Sequence, residues 1–250
     1  MVKTMSSCTT LSDFDYDATT TIVLLPGLDG TGRLLAEFSN LLARHAPVLT
    51  LSYPTQNILD YDGLLDFIRP QLPQGDYIVV GESFSGPLAL RLAQENPEGL
   101  KGVVLGASFA RLDIPAKSVL GAFARRISPR LLPTSLLVPF LMGRHATEEW
   151  RDRLKQVLAT VSADVLGARA KTALDVDLAG QGTIAIGLPV LYLQATEDRL
   201  IPKSAAQSVA KIAPRLVAKK IAAPHFLFQF AASDCAAAIL NFKKALSSRQ

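Results

Sequence analysis

Apolar positions along this 250-residue chain fall mostly into short continuous runs separated by polar turns. Residues 19–25 form a β-branched run that ends in Pro-Gly, and continuous apolarity over so short a length predicts a strand buried on both faces. The same reasoning predicts strands at 46–53, stopped by Pro54, and at 76–81 and 101–107. Two more follow at 188–195, opened by Pro189, and at 215–221. Helical periodicity marks 61–72, 87–96 and 235–246, and Pro87 is tolerated because it falls in a first turn. Strands that alternate with helices need crossover connections, so the pattern predicts a mostly parallel, doubly wound α/β sheet.

The stretch from 109 to 187 breaks the alternation. It is too long for a loop and has no strand-like run. Trp150, Leu154, Val157, Leu158, Val161 and Val165 recur at helical spacing, which predicts a helical insertion. The expected organisation is an α/β core from 1–108 and 188–250, with a helical cap from 109–187 over the carboxyl ends of the strands, where ligands bind in open α/β sheets.

Composition narrows the function classes. With 49% apolar and 19% charged residues the chain has the makeup of a folded protein with a sizeable core. The two cysteines, Cys8 and Cys235, lack metal-ligand spacing and read as reduced thiols. Residues 1–17 contain no apolar segment of the secretory kind, and the greasy stretch at 131–142 is interrupted by Pro133 and Pro139. The expected location is cytoplasmic, with no membrane span. The net charge is +4, but residues 1–110 carry 6 basic and 12 acidic side chains while 111–155 carry 9 and 4. The basic residues are interleaved with apolar ones and do not form a stripe with aromatic platforms, which argues against a nucleic-acid partner.

The chemistry centres on Gly81-Glu82-Ser83-Phe84-Ser85-Gly86, between a predicted strand and a predicted helix. That is the setting of a nucleophile elbow, with Ser83 as the exposed hydroxyl and small residues allowing strand and helix to meet closely. Ser85 is the competing nucleophile, but Pro87 would then fill a position that must be small. A serine needs a base. Of the three histidines, only His225 follows a predicted strand onto the carboxyl edge where Ser83 lies; His45 and His145 read as structural or solvated. The base needs a carboxylate to hold its tautomer. Glu197 and Asp198 both follow the strand at 188–195, and Asp198 is favoured because a short side chain entering a helix is fixed by its turn. The resulting order is Ser83, Asp198, His225. The Phe84 N–H and the Leu28 N–H, in Pro26-Gly27-Leu28-Asp29-Gly30-Thr31-Gly32, are assigned to an oxyanion hole. This loop lacks the Lys-Ser/Thr ending and the glycine spacing of a phosphate cradle.

At these residues the chain resembles the α/β-hydrolase superfamily, from the oxyanion loop to His225. The loop wording, Leu-Pro-Gly-Leu-Asp-Gly-Thr-Gly, together with Gly-Glu-Ser-Phe-Ser-Gly, looks like a bacterial serine carboxylesterase subgroup. There is a fainter similarity to plant phytyl ester synthase-like acyltransferases. Their His-x4-Asp motif is missing, since Thr50 and Trp150 stand five residues after His45 and His145. In architecture the chain is also similar to pimeloyl-acyl-carrier-protein methyl ester esterase. It departs from the superfamily pattern at Ser85 and at Pro224, where glycine is common, and in a leading segment that implies fewer strands.

The expected activity is hydrolysis of a small-molecule carboxylic ester through an acyl-serine, with neither metal nor organic cofactor. A thioesterase or an acyltransferase would use the same residues, and a ligand-binding protein on the same fold is the non-enzymatic alternative. Phe123, Leu137, Phe140 and Leu141 are the expected apolar acyl surface within a greasy insertion. Arg125, Arg126 and Arg130 have two readings, a solvated face or a docking surface for an acidic partner such as an acyl carrier protein.

Overall fold

A computed structural model of the chain describes residues 20–112, 134–180 and 186–247. Six strands, β1 (Thr21–Leu25), β2 (Val48–Thr50), β3 (Tyr77–Glu82), β4 (Leu100–Gly106), β5 (Val190–Ala195) and β6 (Leu216–Ile221), form one sheet. The order is β2-β1-β3-β4-β5-β6 and every pairing is parallel. Strand side chains alternate between faces, which splits the apolar runs in two. Val23, Leu25 and Val79 join one core with the helices α2 (Tyr61–Ile68) and α3 (Gly86–Glu95). Ile22, Leu24, Ile78 and Val80 join another with Phe38 of α1 (Ala36–Leu42) and with Cys235 and Ile239 of the helix Ala232–Ser247.

The edges differ from the centre. β2 keeps only three residues of the predicted 46–53 run, because Val48–Thr50 alone stay in register with β1. β6 exposes Val217 and carries Lys219 and Lys220, charges that discourage edge-to-edge pairing. Helix ends move by a few residues from expectation. Pro70 turns the end of the 61–72 helix into a 3-10 turn, and Asn96 ends α3 in the left-handed conformation.

The long stretch between β4 and β5 is helical where described, with helices Thr134–Leu141, Glu148–Ala159 and Ala163–Asp175. Its base is stitched by an antiparallel bridge between Arg111 and Asp177 and by the Leu178 N–H donating to Ala110 O at 3.1 Å. Val138, Met142, Leu154 and Val157 form a third apolar cluster that closes on Leu34 and Phe226 of the core. Among the described residues no helix is long and apolar enough to cross a membrane.

Candidate active site

In a parallel sheet all carboxyl ends share one edge, and the candidate residues lie just beyond them. Ser83 follows β3 with φ 49°, a left-handed conformation that costs a side-chain-bearing residue energy and marks a forced turn. The neighbouring glycines show why the turn needs small residues. A Cβ on Gly81 would lie 2.6 Å from Ser85 O, and one on Gly86 would lie 1.7 Å from Ser108 Oγ.

His225 arrives from β6 through Ala223 and Pro224 and is buried. Its Nε2 lies 2.9 Å from Ser83 Oγ and its Nδ1 lies 2.9 Å from Asp198 Oδ2. The other carboxylate oxygen of Asp198 accepts the N–H groups of Leu200 and Ile201 at 2.8 and 2.9 Å, so the turn itself holds the acid. Adjacent Glu197 points elsewhere, accepting Arg144 Nη2 at 2.8 Å and lying 3.4 Å from His145 Nε2 on the inserted segment. Ser85 is fully buried, with its hydroxyl 2.6 Å from Tyr53 Oη and donated to Pro26 O. The structure thus brings Ser83, Asp198 and His225 together and turns Glu197 and Ser85 to other partners.

The two assigned N–H groups belong to peptides held from their carbonyl sides. Gly27 O accepts the Gly30 N–H at 3.0 Å, closing a β-turn with Leu28 and Asp29 at its centre. In a trans peptide the N–H points opposite to the C=O, so the Leu28 N–H is directed away from Gly30. Ser83 O accepts Ser108 Oγ at 2.6 Å and the Gly86 N–H, which sets the direction of the Phe84 N–H in the same way. Tyr61 stacks on the Phe84 ring at 5.0 Å and its hydroxyl donates to Phe84 O at 2.7 Å.

Several supporting residues were not singled out from the sequence. Tyr192 Oη donates to Ser108 O at 2.7 Å, which steadies the serine beneath the elbow. Glu82 is buried beside the elbow, where Gln229 Nε2 donates to its Oε1 at 2.9 Å and the Gly27 N–H also supports it. Burial, with some help from nearby Asp29, pushes its carboxyl up to about 7 despite the opposing Gln229, His225 and Gly27. Arg169 was missed although it carried a signal, since it shares a helical stripe with Val165 and Ala173 and is itself buried.

On the inserted segment, Leu137 and Phe140 are exposed, while Leu141 packs at the third cluster and its carbonyl accepts the N–H of Phe226, next to His225. Arg144 pairs with Glu197, and Arg153 pairs with Glu37 and stacks on Trp150 at 4.6 Å. Phe123, Arg125, Arg126 and Arg130 lie outside the described residues. Among the described residues no group of three or more His, Cys, Asp or Glu side chains is placed to hold a metal ion.

Solved structures share this architecture. A hydrolase from Pseudomonas aeruginosa superposes with a TM-score of 0.75 at 18% identity, over 90% of this chain and 89% of that one. A thermophilic esterase from Thermogutta terrifontis gives 0.76 at 17% identity, over 92% and 91%. An enol-lactonase from Burkholderia xenovorans gives 0.68 at 18%, over 92% and 94%. At such identities the likeness establishes the α/β-hydrolase fold. No curated protein matches the chain in sequence. The sequence model of the family described as serine aminopeptidase, S33 matches residues 52–227, which is more than half of the chain and takes in Ser83, Asp198 and His225. By that match and this fold, the chain belongs to the serine aminopeptidase S33 family of α/β-hydrolases.

Proposed function

We propose that this hydrolase cleaves carboxylic esters through an acyl-serine intermediate. The observation that carries the reading is the chain from Ser83 Oγ through both nitrogens of His225 to Asp198, at 2.9 Å in each step, with Ser83 held at positive φ. His225 takes the Ser83 proton as the oxygen attacks the ester carbonyl, and Asp198 holds the Nδ1–H and stabilises the imidazolium. The oxyanion is received by the Leu28 and Phe84 N–H groups. His225 then protonates the departing alcohol. Water enters, gives its proton to His225 and attacks the acyl carbon; as the acid leaves, His225 returns that proton to Ser83 Oγ. An esterase and an enol-lactonase stand among the proteins of this fold, which supports esters over peptides as substrates.

The helical insertion is the proposed cap. Leu137, Phe140 and Leu141, with Phe123, are the proposed surface for an apolar acyl group, and Arg125, Arg126 and Arg130 the proposed contact for an acidic carrier. Labelling with a fluorophosphonate and an acyl-length series of nitrophenyl esters tests the reading. Ser83→Ala should lose the label and lower kcat by roughly 10⁶, leaving only catalysis by binding and the oxyanion hole. A label on another residue, or faster turnover of thioesters or aminoacyl anilides than of esters, would overturn it.

A further inference from the structure

Arg169 is a buried guanidinium, 2% exposed, on the inserted helix Ala163–Asp175. Its partners are unusual for so deeply buried a cation. Nη1 donates to Leu28 O at 3.1 Å and to Asp29 O at 2.7 Å, and Nη2 donates to Pro54 O at 2.9 Å. The guanidinium also lies over the Tyr53 ring at 5.5 Å. Leu28 and Asp29 are the two central residues of the turn that presents the Leu28 N–H.

With Arg169 in place, every carbonyl from Pro26 to Gly30 has a donor. Pro26 O takes Ser85 Oγ, Gly27 O takes the Gly30 N–H, and Gly30 O takes the Tyr53 N–H at 2.6 Å. Leu28 O and Asp29 O are left, and both fall to the one guanidinium nitrogen. The loop makes room for it. Gly30 sits at φ 71°, and a Cβ there would lie 2.4 Å from Arg169 Nη1. A β-turn held by one internal hydrogen bond can still rock about the Leu28–Asp29 and Asp29–Gly30 peptides, and such rocking turns the adjoining Gly27–Leu28 peptide with its N–H. A planar guanidinium with Nη1 on both of those carbonyls and Nη2 on the neighbouring Pro54 carbonyl restricts that freedom more than an ammonium on a flexible stem does.

We infer that Arg169 is a positioning residue of the oxyanion hole, by which the inserted helix Ala163–Asp175 fixes the direction of the Leu28 N–H. The inference rests on the ester-hydrolase reading of Ser83. Its consequence is that the insertion does more than cover the site: displacing that helix would loosen a donor aimed at the transition state. A misaligned donor weakens stabilisation of the transition state while ground-state binding is preserved, so kcat and kcat/KM should fall together.

The test uses the full chain and two variants, Arg169→Lys, which keeps the charge without the fork, and Arg169→Met, which keeps a similar stem without the charge. Active sites are counted by stoichiometric fluorophosphonate titration, and nitrophenyl ester kinetics are expressed per titrated site, so unfolded protein does not enter. Arg169→Lys should lower kcat per site about tenfold and Arg169→Met by ten- to a hundredfold, with KM within about twofold of the parent in both. Parent kcat per titrated site in both variants would overturn the assignment. Failure of both to yield any titratable site would also overturn it and make Arg169 a residue of the fold. If the parent itself neither titrates at Ser83 nor hydrolyses the esters, the ester-hydrolase reading has failed, and that outcome is distinct from a failure at Arg169.

Discussion

The proposed proton-moving residues and the proposed oxyanion loop occupy the same edge of the sheet, yet they are held in different ways. Ser83, Asp198 and His225 each follow a strand, and Ser83 and Asp198 are set by turns of a few residues. Gly81, Ser85 and Gly86 shape the first turn, and the Leu200 and Ile201 N–H groups anchor the second. The loop after β1 is held by side chains far away in sequence, among them Ser85, Arg169 and Glu82. Local turns make Ser83 and Asp198 robust to changes in the inserted helices, whereas Phe226, beside His225, donates its N–H to Leu141 O of the insertion. The loop depends on the insertion through Arg169, so a disturbance of the helix Ala163–Asp175 should reach the proposed oxyanion hole before it reaches Ser83 and Asp198.

The largest effect that sharpens this contrast falls on the locally held group. Asp198→Asn should leave KM nearly unchanged and lower kcat by roughly 10⁴, because His225 loses the acceptor that fixes its tautomer. Glu197→Gln should be mild, since its partners Arg144 and His145 lie on the insertion. Steady-state kinetics of the two variants decide between them, and the opposite ranking would make Glu197 the acid.

An intermediate effect is expected where the two groups meet. Ser85→Ala removes the tie from the elbow to Pro26 O and to Tyr53 Oη. Leaving these buried groups without that partner should cost about 1–3 kcal/mol in stability, read by denaturant unfolding. Turnover should fall about tenfold while fluorophosphonate labelling of Ser83 is retained. Loss of labelling would show that Ser85 supports the nucleophile itself, and the contrast between the two groups would not hold.

The smallest effect concerns Glu82, whose carboxyl is pushed up to about 7, above its ordinary 4.5, chiefly by burial. The folded state then holds this proton more tightly than the unfolded chain. Its stabilising effect is fully present below the unfolded value and is lost as pH rises through about 7. Glu82→Gln cannot ionise, so the Tm of the variant relative to the parent should rise between pH 5 and pH 8. A Tm difference that is flat over that range, or that falls, would mean that Glu82 is ionised in the fold throughout.

Much of this molecule is legible in the residue order because its causes are local. The two-sided burial of β1, β3 and β4 shows as continuous apolar runs, and the parallel topology follows from strands alternating with helices. The elbow shows as small residues flanking Ser83, since the clash that excludes larger ones comes from atoms only a few positions away at Gly81. β2 is shorter than its apolar run, because such a run does not show where the chain leaves its neighbour: past Thr50 the Tyr53 N–H turns to Gly30 O in the loop after β1.

The sequence by itself determined the sheet and the elbow, and it favoured Ser83 over Ser85 and Asp198 over Glu197. Only the tertiary structure showed which of these side chains meet His225, because that turns on which way neighbouring side chains point across the sheet edge. It also decided that Arg169 meets the Leu28 turn. These residues are about 140 positions apart, and no local period connects a guanidinium on an inserted helix with two carbonyls at the end of β1. Periodicity reports that Arg169 faces inward, but what it meets there is set by packing.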